Sequence, residues 1–267
     1  MKLPATAATA TARKARRPAF TLLEVLAVVF IMAIFASIVT VLSPANPKGR
    51  EGAQNVAENL FNVARGTAAL ATNPDPQPEK NPLFNIRARL IVLKDKEGNH
   101  PDDHLRRIRI IIGGTKKSES TALTDYRWYC SEALDAFLPD GFYMVPPDDP
   151  DNGLAEAYRS KINLRDGGTY IMRLNYNPDR NSQNEGSGDS EWYYYEFNND
   201  GTSNMNSSTF IVAKGSTIIK DGGKIEISFD KDESGLPKEI TGLWVASASS
   251  RFVPFDSAEE MRKLEDL

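Results

Sequence analysis

Arg16-Arg17-Pro18-Ala19-Phe20-Thr21-Leu22-Leu23-Glu24-Val25-Leu26 joins a basic leader to a long apolar run that contains a single carboxylate. The run extends from Phe20 to Leu42, 23 residues with Glu24 as its one charge. As a helix rising about 1.5 Å per residue it reaches roughly 35 Å. That is enough for a hydrocarbon core of about 30 Å. A secretory signal peptide has a shorter apolar region, and Ser43-Pro44-Ala45 imitates its small-residue cleavage site only weakly. Residues 1–19 carry Lys2, Arg13, Lys14, Arg16 and Arg17 and no acid. Of the 32 basic side chains, 27 remain to face all 36 acidic ones in the rest of the chain. This asymmetry predicts that the extreme N-terminus stays cytoplasmic, and the acidic body argues against a general nucleic-acid binder.

Glu24 needs a reason. A carboxylate costs about 2.5–3.5 kcal/mol at the centre of a membrane helix and less near an end. Glu24 lies one turn inside the apolar run. If the chain is cut between Ala19 and Phe20, Glu24 becomes the fifth residue and Phe20 carries a new α-amine. The amine of one subunit and the carboxylate of the next then neutralise each other, and a lone buried charge becomes a pair. A carboxylate near a helix N-terminus is also favoured by the helix dipole.

Arg16 to Leu26, with the apolar run behind it, resembles the class III signal of type IV pilins and pseudopilins. The resemblance implies cleavage by a prepilin peptidase between Ala19 and Phe20 at the cytoplasmic face, then N-methylation of Phe20. It implies that Glu24 acts in assembly and methylation. Ala19 stands where the family has Gly, and alanine is the next smallest side chain. The implied fold is α+β and pilin-like: a long membrane-spanning helix continuing into an amphipathic helix packed on an antiparallel, β-rich globular head. The organisation follows: leader 1–19, filament-core helix 20–43, amphipathic helix and linker 44–78, head 79–267.

The residues after the membrane segment fit that plan. Pro44, Pro47, Gly49 and Gly52 punctuate the chain. Helix is expected to resume at about Gln54, with Val56, Leu60, Val63, Ala64, Thr67, Ala68 and Ala71 as its apolar stripe. Pro74, Pro76 and Pro78 stop it. Ile86–Leu93 and Leu105–Ile112 read as a hairpin. Further strands are expected at Leu138–Val145 after a turn, Thr169–Tyr176, Glu191–Phe197, Thr209–Ala213, Lys224–Phe229 and Ile240–Ala246. Ser131–Phe137 reads as a short helix, and the polar residues 177–190 as a mobile loop. Ser257 and Glu260 have capping-box spacing for a final helix.

Candidate chemistry outside the signal is sparse. Asp230-Lys-Asp232-Glu-Ser234-Gly235 imitates half of a calcium loop, but its twelfth position is Thr241 rather than Glu. His100 and His104 flank Asp102 and Asp103 at a zinc-like spacing, in a segment interrupted by Pro101 that reads as a solvated turn. Trp192 to Tyr195 put aromatics on both faces of one strand, as a strand covered on both sides would. Arg87, Arg89, Arg106, Arg107 and Arg109 make a basic edge, read as solvated strand faces and cross-strand pairs with acids. Cys130 is the one cysteine, so no internal disulfide is possible. It reads as a small buried apolar side chain. No catalytic residue, metal or cofactor is expected.

Leu60-Phe-Asn-Val-Ala-Arg-Gly-Thr-Ala69, Leu138-Pro-Asp-Gly141 and Phe197-Asn-Asn-Asp-Gly201 are similar to motifs of the H-type (FimT-like) minor pseudopilins. That resemblance implies a minor pseudopilin in a short filament of a type II secretion-like machine. Its partners would be other pseudopilins or pilins, the prepilin peptidase, an inner-membrane assembly platform and membrane lipid, with nucleic acid unlikely. The location would be the bacterial inner membrane, single-pass, with a periplasmic head. The competing reading is a minor type IV pilin with an adhesive or DNA-binding head. Residues 256–267, with five acids against Arg262 and Lys263, favour the first. A tethered head that never polymerises would have no use for Glu24.

Overall fold

In the computed structural model the described residues are 49–70, 80, 82–116, 125–145, 171–176, 183–184, 186, 188–203, 208–233, 237–245 and 251–264. Helix α1 (Gly49–Leu70) carries the head. Ala53, Ala57, Phe61, Ala64 and Ala68 recur every three to four residues and are fully buried, while Val56, Leu60 and Val63 pack part-buried beside them. Ala64 and Ala68 of the expected stripe are thus on the buried face, but that face is centred on alanines, with Ala53, Ala57 and Phe61 in place of Val56, Leu60 and Val63. The alanines keep the helix surface flat and let strand backbones approach closely. Phe61 is the one large side chain in the row. The helix also begins five residues before Gln54: Gly52 is buried in its first turns, and Glu51 suits the dipole there. Ala71 lies outside the described residues.

Two antiparallel sheets receive this face. The first has six strands in the order β5-β7-β1-β2-β3-β6. These are β1 (Phe84–Lys94), β2 (Arg107–Thr115), β3 (Tyr126–Phe137), β5 (Ile171–Leu174), β6 (Gln183–Asn184) and β7 (Ser190–Asn198). The second runs β11-β10-β8-β4, from β4 (Phe142–Met144), β8 (Ser208–Ile219), β10 (Ile240–Val245) and β11 (Phe252–Phe255). The far half of β8 leaves this sheet and pairs with β9 (Ile225–Phe229) as a separate hairpin. The expected β1–β2 hairpin forms, and each expected strand from Leu138 to Ala246 has a counterpart within a few residues, β8 running on to Ile219. The head is thus an α+β unit dominated by antiparallel strands.

Phe61 ties the sheets together. Its ring lies 5.1 Å from Tyr195 and 6.0 Å from Phe197 on β7, 5.2 Å from Phe210 on β8 and 5.3 Å from Phe252 on β11. All four contacts are edge-on or tilted, the arrangement favoured by the ring quadrupoles. The Phe197–Gly201 motif is a turn that delivers Phe197 to this cluster. Gly201 adopts φ +77°, and the Asp200 carboxylate accepts from the backbone N–H and hydroxyl of Thr202.

Three expectations are corrected. Ser131–Phe137 is strand, not helix: it is the second half of β3. The register with β2 slips between Arg109 and Ile111, and beyond the slip Asp135 lies opposite Arg109. Charge pairing across strands outweighs the local helix preference of Glu132-Ala133-Leu134. Strand β11 is not among the expected strands, and it contains Pro254. It is the edge of its sheet, where a missing N–H need cost no ladder bond. Within residues 177–190, Gln183–Asn184 pair with Trp128 and Arg127 as β6, and Ser190 opens β7.

The C-terminal helix α2 (Ala258–Leu264) has the expected cap: Ser257 Oγ accepts from Glu260 N–H at 3.2 Å. Glu260 Oε2 accepts from Asp256 N–H at 3.0 Å, one residue before the usual reciprocal donor. Among the described residues no helix is long and apolar enough to cross a membrane; the run Phe20–Leu42 lies outside them.

Phe61→Ala removes the ring on which both sheets converge. It should cost about 3–5 kcal/mol, read as a shift of the urea midpoint. Leu70→Ala, at an exposed position on the same helix, should leave that midpoint nearly unchanged.

Candidate processing signal and the buried charge layer

Of the arginines expected on a solvated edge, Arg89, Arg107 and Arg109 are buried in the first sheet, Arg87 is half-buried, and Arg106, in the turn before β2, pairs with Asp140 and donates to the Leu138 carbonyl. Arg89 is fully buried. Its Nε donates to Glu196 Oε2 at 2.8 Å and its Nη2 lies 2.7 Å from the same oxygen. Arg87 Nη1 donates to Glu196 Oε1 at 2.7 Å. The guanidinium of Arg89 sits 4.2 Å from the Trp128 ring and 3.9 Å from the Tyr194 ring. Strand β2 lies between Arg89 and Trp128, and Gly113 makes the contact possible. A Cβ there would come within 2.5 Å of the indole.

Asp135 forms the second node. Arg107 Nη2 donates to it at 2.9 Å and Arg109 Nη2 at 2.7 Å. Arg109 also reaches the Tyr176 carbonyl at 3.3 Å. The Tyr176 ring stacks on His100 and lies 4.5 Å from the Arg107 guanidinium, and its hydroxyl donates to Asp103. Cross-strand pairing of arginines with acids therefore holds, whereas solvation of Arg89, Arg107 and Arg109 does not. The acids that bury them, Glu196 and Asp135, lie far away in sequence.

The electrostatics follow from this burial. Desolvation alone would push the Glu196 carboxyl up, but Arg89 and Arg87 outweigh it and hold the group below its ordinary value. At Asp135 burial again works upward, and Arg109 and Arg107 again win. Burial opposes the charge of Arg107, yet Asp135, Tyr176 and Asp103 leave it raised. Burial and the bond to Asp103 raise the Tyr176 phenol against the pull of Arg107 and Arg109.

The other candidates separate. The segment His100–Arg106 is a turn, as expected, but His104 is buried, and its Nδ1 accepts from Asp95 N–H at 2.9 Å. That nitrogen is therefore occupied, while the His100 ring is stacked on Tyr176. Asp230 and Asp232 are exposed. Thr241, at the twelfth position of the calcium-like loop, is buried and donates to the Phe255 carbonyl at 3.0 Å. Among the described residues no three metal-ligating side chains come together. Trp192 to Tyr195 are buried in the middle of the sheet, as a strand covered on both sides requires. Cys130 is half-buried against the core. Ala19, Phe20 and Glu24 lie outside the described residues.

Residues 14–40 match the family model described as the prokaryotic N-terminal methylation motif. The chain carries a prepilin-type signal. That signal supports a type IV pilin-like, prepilin-processed protein, and it covers Ala19, Phe20, Glu24 and most of the apolar run. No curated protein and no solved structure matches the chain.

Both carboxyls are depressed on folding. They stabilise the head at pH values above their unfolded values near 4, and that contribution fades as pH falls below those values and is lost once pH has passed through the depressed values of the folded state. Urea stability followed by tryptophan fluorescence should therefore fall progressively as pH is lowered from about 5. Glu196→Gln strands Arg89 and should cost about 3–5 kcal/mol at pH 7. It should also flatten the acid dependence.

Proposed function

We propose that this chain is a minor pseudopilin of the H-type. It would be cleaved between Ala19 and Phe20, N-methylated at Phe20, and assembled into a short filament of a type II secretion-like system. Before assembly, residues 20–43 would anchor it in the inner membrane with the leader cytoplasmic and the head periplasmic. Prepilin peptidase, the inner-membrane assembly platform and the neighbouring pseudopilins would be its partners.

The observation that carries this reading is the prepilin-type signal with Glu24 inside it. The head supports a structural role over a displayed binding surface. Arg89, Arg107 and Arg109, which a nucleic-acid face would present, are taken up by Glu196 and Asp135. The Trp192–Tyr195 aromatics, which a carbohydrate platform would present, are core.

Glu24→Gln keeps shape and removes charge. Membrane insertion should survive, since removing a charge from a membrane helix is favourable. Cleavage at Ala19–Phe20 should survive as well. The fraction of the protein in sheared filaments, relative to membranes, should fall, because a neighbour's Phe20 amine loses its counter-charge. Unchanged incorporation with normal processing would refute a pairing role for Glu24, unless cross-linking places the subunit at the tip with none above it.

A further inference from the structure

The protein has two histidines, and both lie in the turn that joins β1 to β2. They are built in differently. The His100 ring is stacked on Tyr176. His104 is 2% exposed, and its Nδ1 accepts the backbone N–H of Asp95 at 2.9 Å. A backbone amide N–H can only donate, so this nitrogen must keep its lone pair. The closed turn therefore holds a neutral imidazole with its proton on Nε2. A second proton would go to Nδ1 and point at the Asp95 N–H, turning a hydrogen bond into a repulsion. It would also place a charge in a buried site.

The residue after His104 joins the two sheets. Leu105 is buried at φ +58°, a left-handed conformation that a bulky side chain adopts only where its surroundings impose it. Its N–H donates to the Leu93 carbonyl at 2.9 Å, and its carbonyl accepts from Met144 N–H at 2.9 Å. Leu93 belongs to β1 in the first sheet and Met144 to β4 in the second. Arg106 continues the joint, its carbonyl accepting from Leu138 N–H at 2.9 Å. The turn behind this joint is closed by its histidines. His104 N–H donates to the His100 carbonyl at 3.2 Å, His100 N–H donates to the Asp95 carboxylate, and Asp95 N–H donates to the His104 ring.

The charged groups around the turn already have work. The Asp95 carboxylate serves His100 N–H. Asp103 takes the Tyr176 hydroxyl and Arg107, and Asp189 takes Tyr176 N–H. Asp135 takes Arg107 and Arg109. Arg106 pairs with Asp140 and lies 5.9 Å from the Tyr143 ring on β4. Glu97 faces Lys224 of the β8–β9 hairpin, Lys96 is half-buried and Asp102 is exposed. We propose that His104 is a proton-sensitive latch on the joint between the two sheets. With the imidazole neutral, the turn is closed and Leu105 is held in its strained conformation. When acid protonates Nδ1, the Asp95 N–H is expelled, the turn opens and Leu105 releases Met144. The opened turn carries one more proton than the closed one, so opening becomes easier as pH falls below the ordinary imidazole value of about 6.5. That window lies above the one in which Glu196 and Asp135 lose their contributions.

The test is amide hydrogen exchange on the full chain in detergent micelles, read by mass spectrometry from about pH 8 to 5.5. Rates are corrected for the intrinsic pH dependence of exchange. The proposal predicts that the Leu105 and Met144 amides exchange up to about tenfold faster for each pH unit below about 6.5, while peptides from β10 keep their rate. His104→Asn places in its Oδ1 an acceptor that does not titrate, and should hold the Leu105 and Met144 rates flat through the window. His100→Asn should leave the rise in place. Should His104→Asn fail to fold, nitrogen-15 NMR of the imidazoles in the unaltered chain decides, with Nε2 protonated and Nδ1 bare at neutral pH as the expected state of His104. Rates in the unaltered chain that stay flat down to the acid end overturn the proposal. So does a rise that survives His104→Asn, or a His104 ring that carries its neutral-pH proton on Nδ1.

Discussion

Phe61 is the constraint on which the head depends. Four rings from β7, β8 and β11 close on it, and the alanines above and below it allow both sheets to approach one helix face. Neither sheet could bury its apolar side without a partner, and this helix is the surface they share. Because α1 is also where the chain enters the head, the element that organises the core is the one that follows the apolar N-terminal run. A pull or rotation applied along α1 would act directly on the hydrophobic centre.

The charge layer is a second organising device, and it constrains sequence differently. Burying a guanidinium is costly unless its charge and its faces are matched. Arg89 meets both demands, through Glu196 in its plane and Trp128 and Tyr194 over its faces. The match depends on Gly113, where a Cβ would meet the Trp128 indole. Asp135 does the same for Arg107 and Arg109, and it holds the later part of β3 in place. These pairs specify register, since a one-residue slip of either strand would turn a buried arginine away from its acid.

How much of this could be read in the chain depended on the range of the interaction. The β1–β2 hairpin, the turn after Phe197 and the cap at Ser257 are local devices, and their residues announce them. Phe61 was visible only as one apolar residue among several, because its four partners come from strands more than 100 residues away in sequence. The choice of Ala53 and Ala57 over Val56 and Leu60 for the inner face depends on how closely two sheets approach, which helical periodicity does not encode. Ser131–Phe137 was misread for a similar reason: Asp135 belongs to β3 because of Arg107 and Arg109, not because of its neighbours. For the site the balance reverses. The prepilin-type signal is a compact local pattern, and residues 14–40 match the methylation motif. The burial of the arginines was not legible, since their acids lie elsewhere in the chain.

The account treats the head as cargo of a processed N-terminal helix, and its central claim is the cut that creates that helix's new end. Mass spectrometry of the N-terminal peptide, from protein isolated out of membranes of cells that express a prepilin peptidase, tests it most directly. The account predicts a peptide beginning at Phe20 with one added methyl group on its α-amine. A peptide retaining Met1 or the leader, or a start at Asn46 after Ser43-Pro44-Ala45, would contradict it.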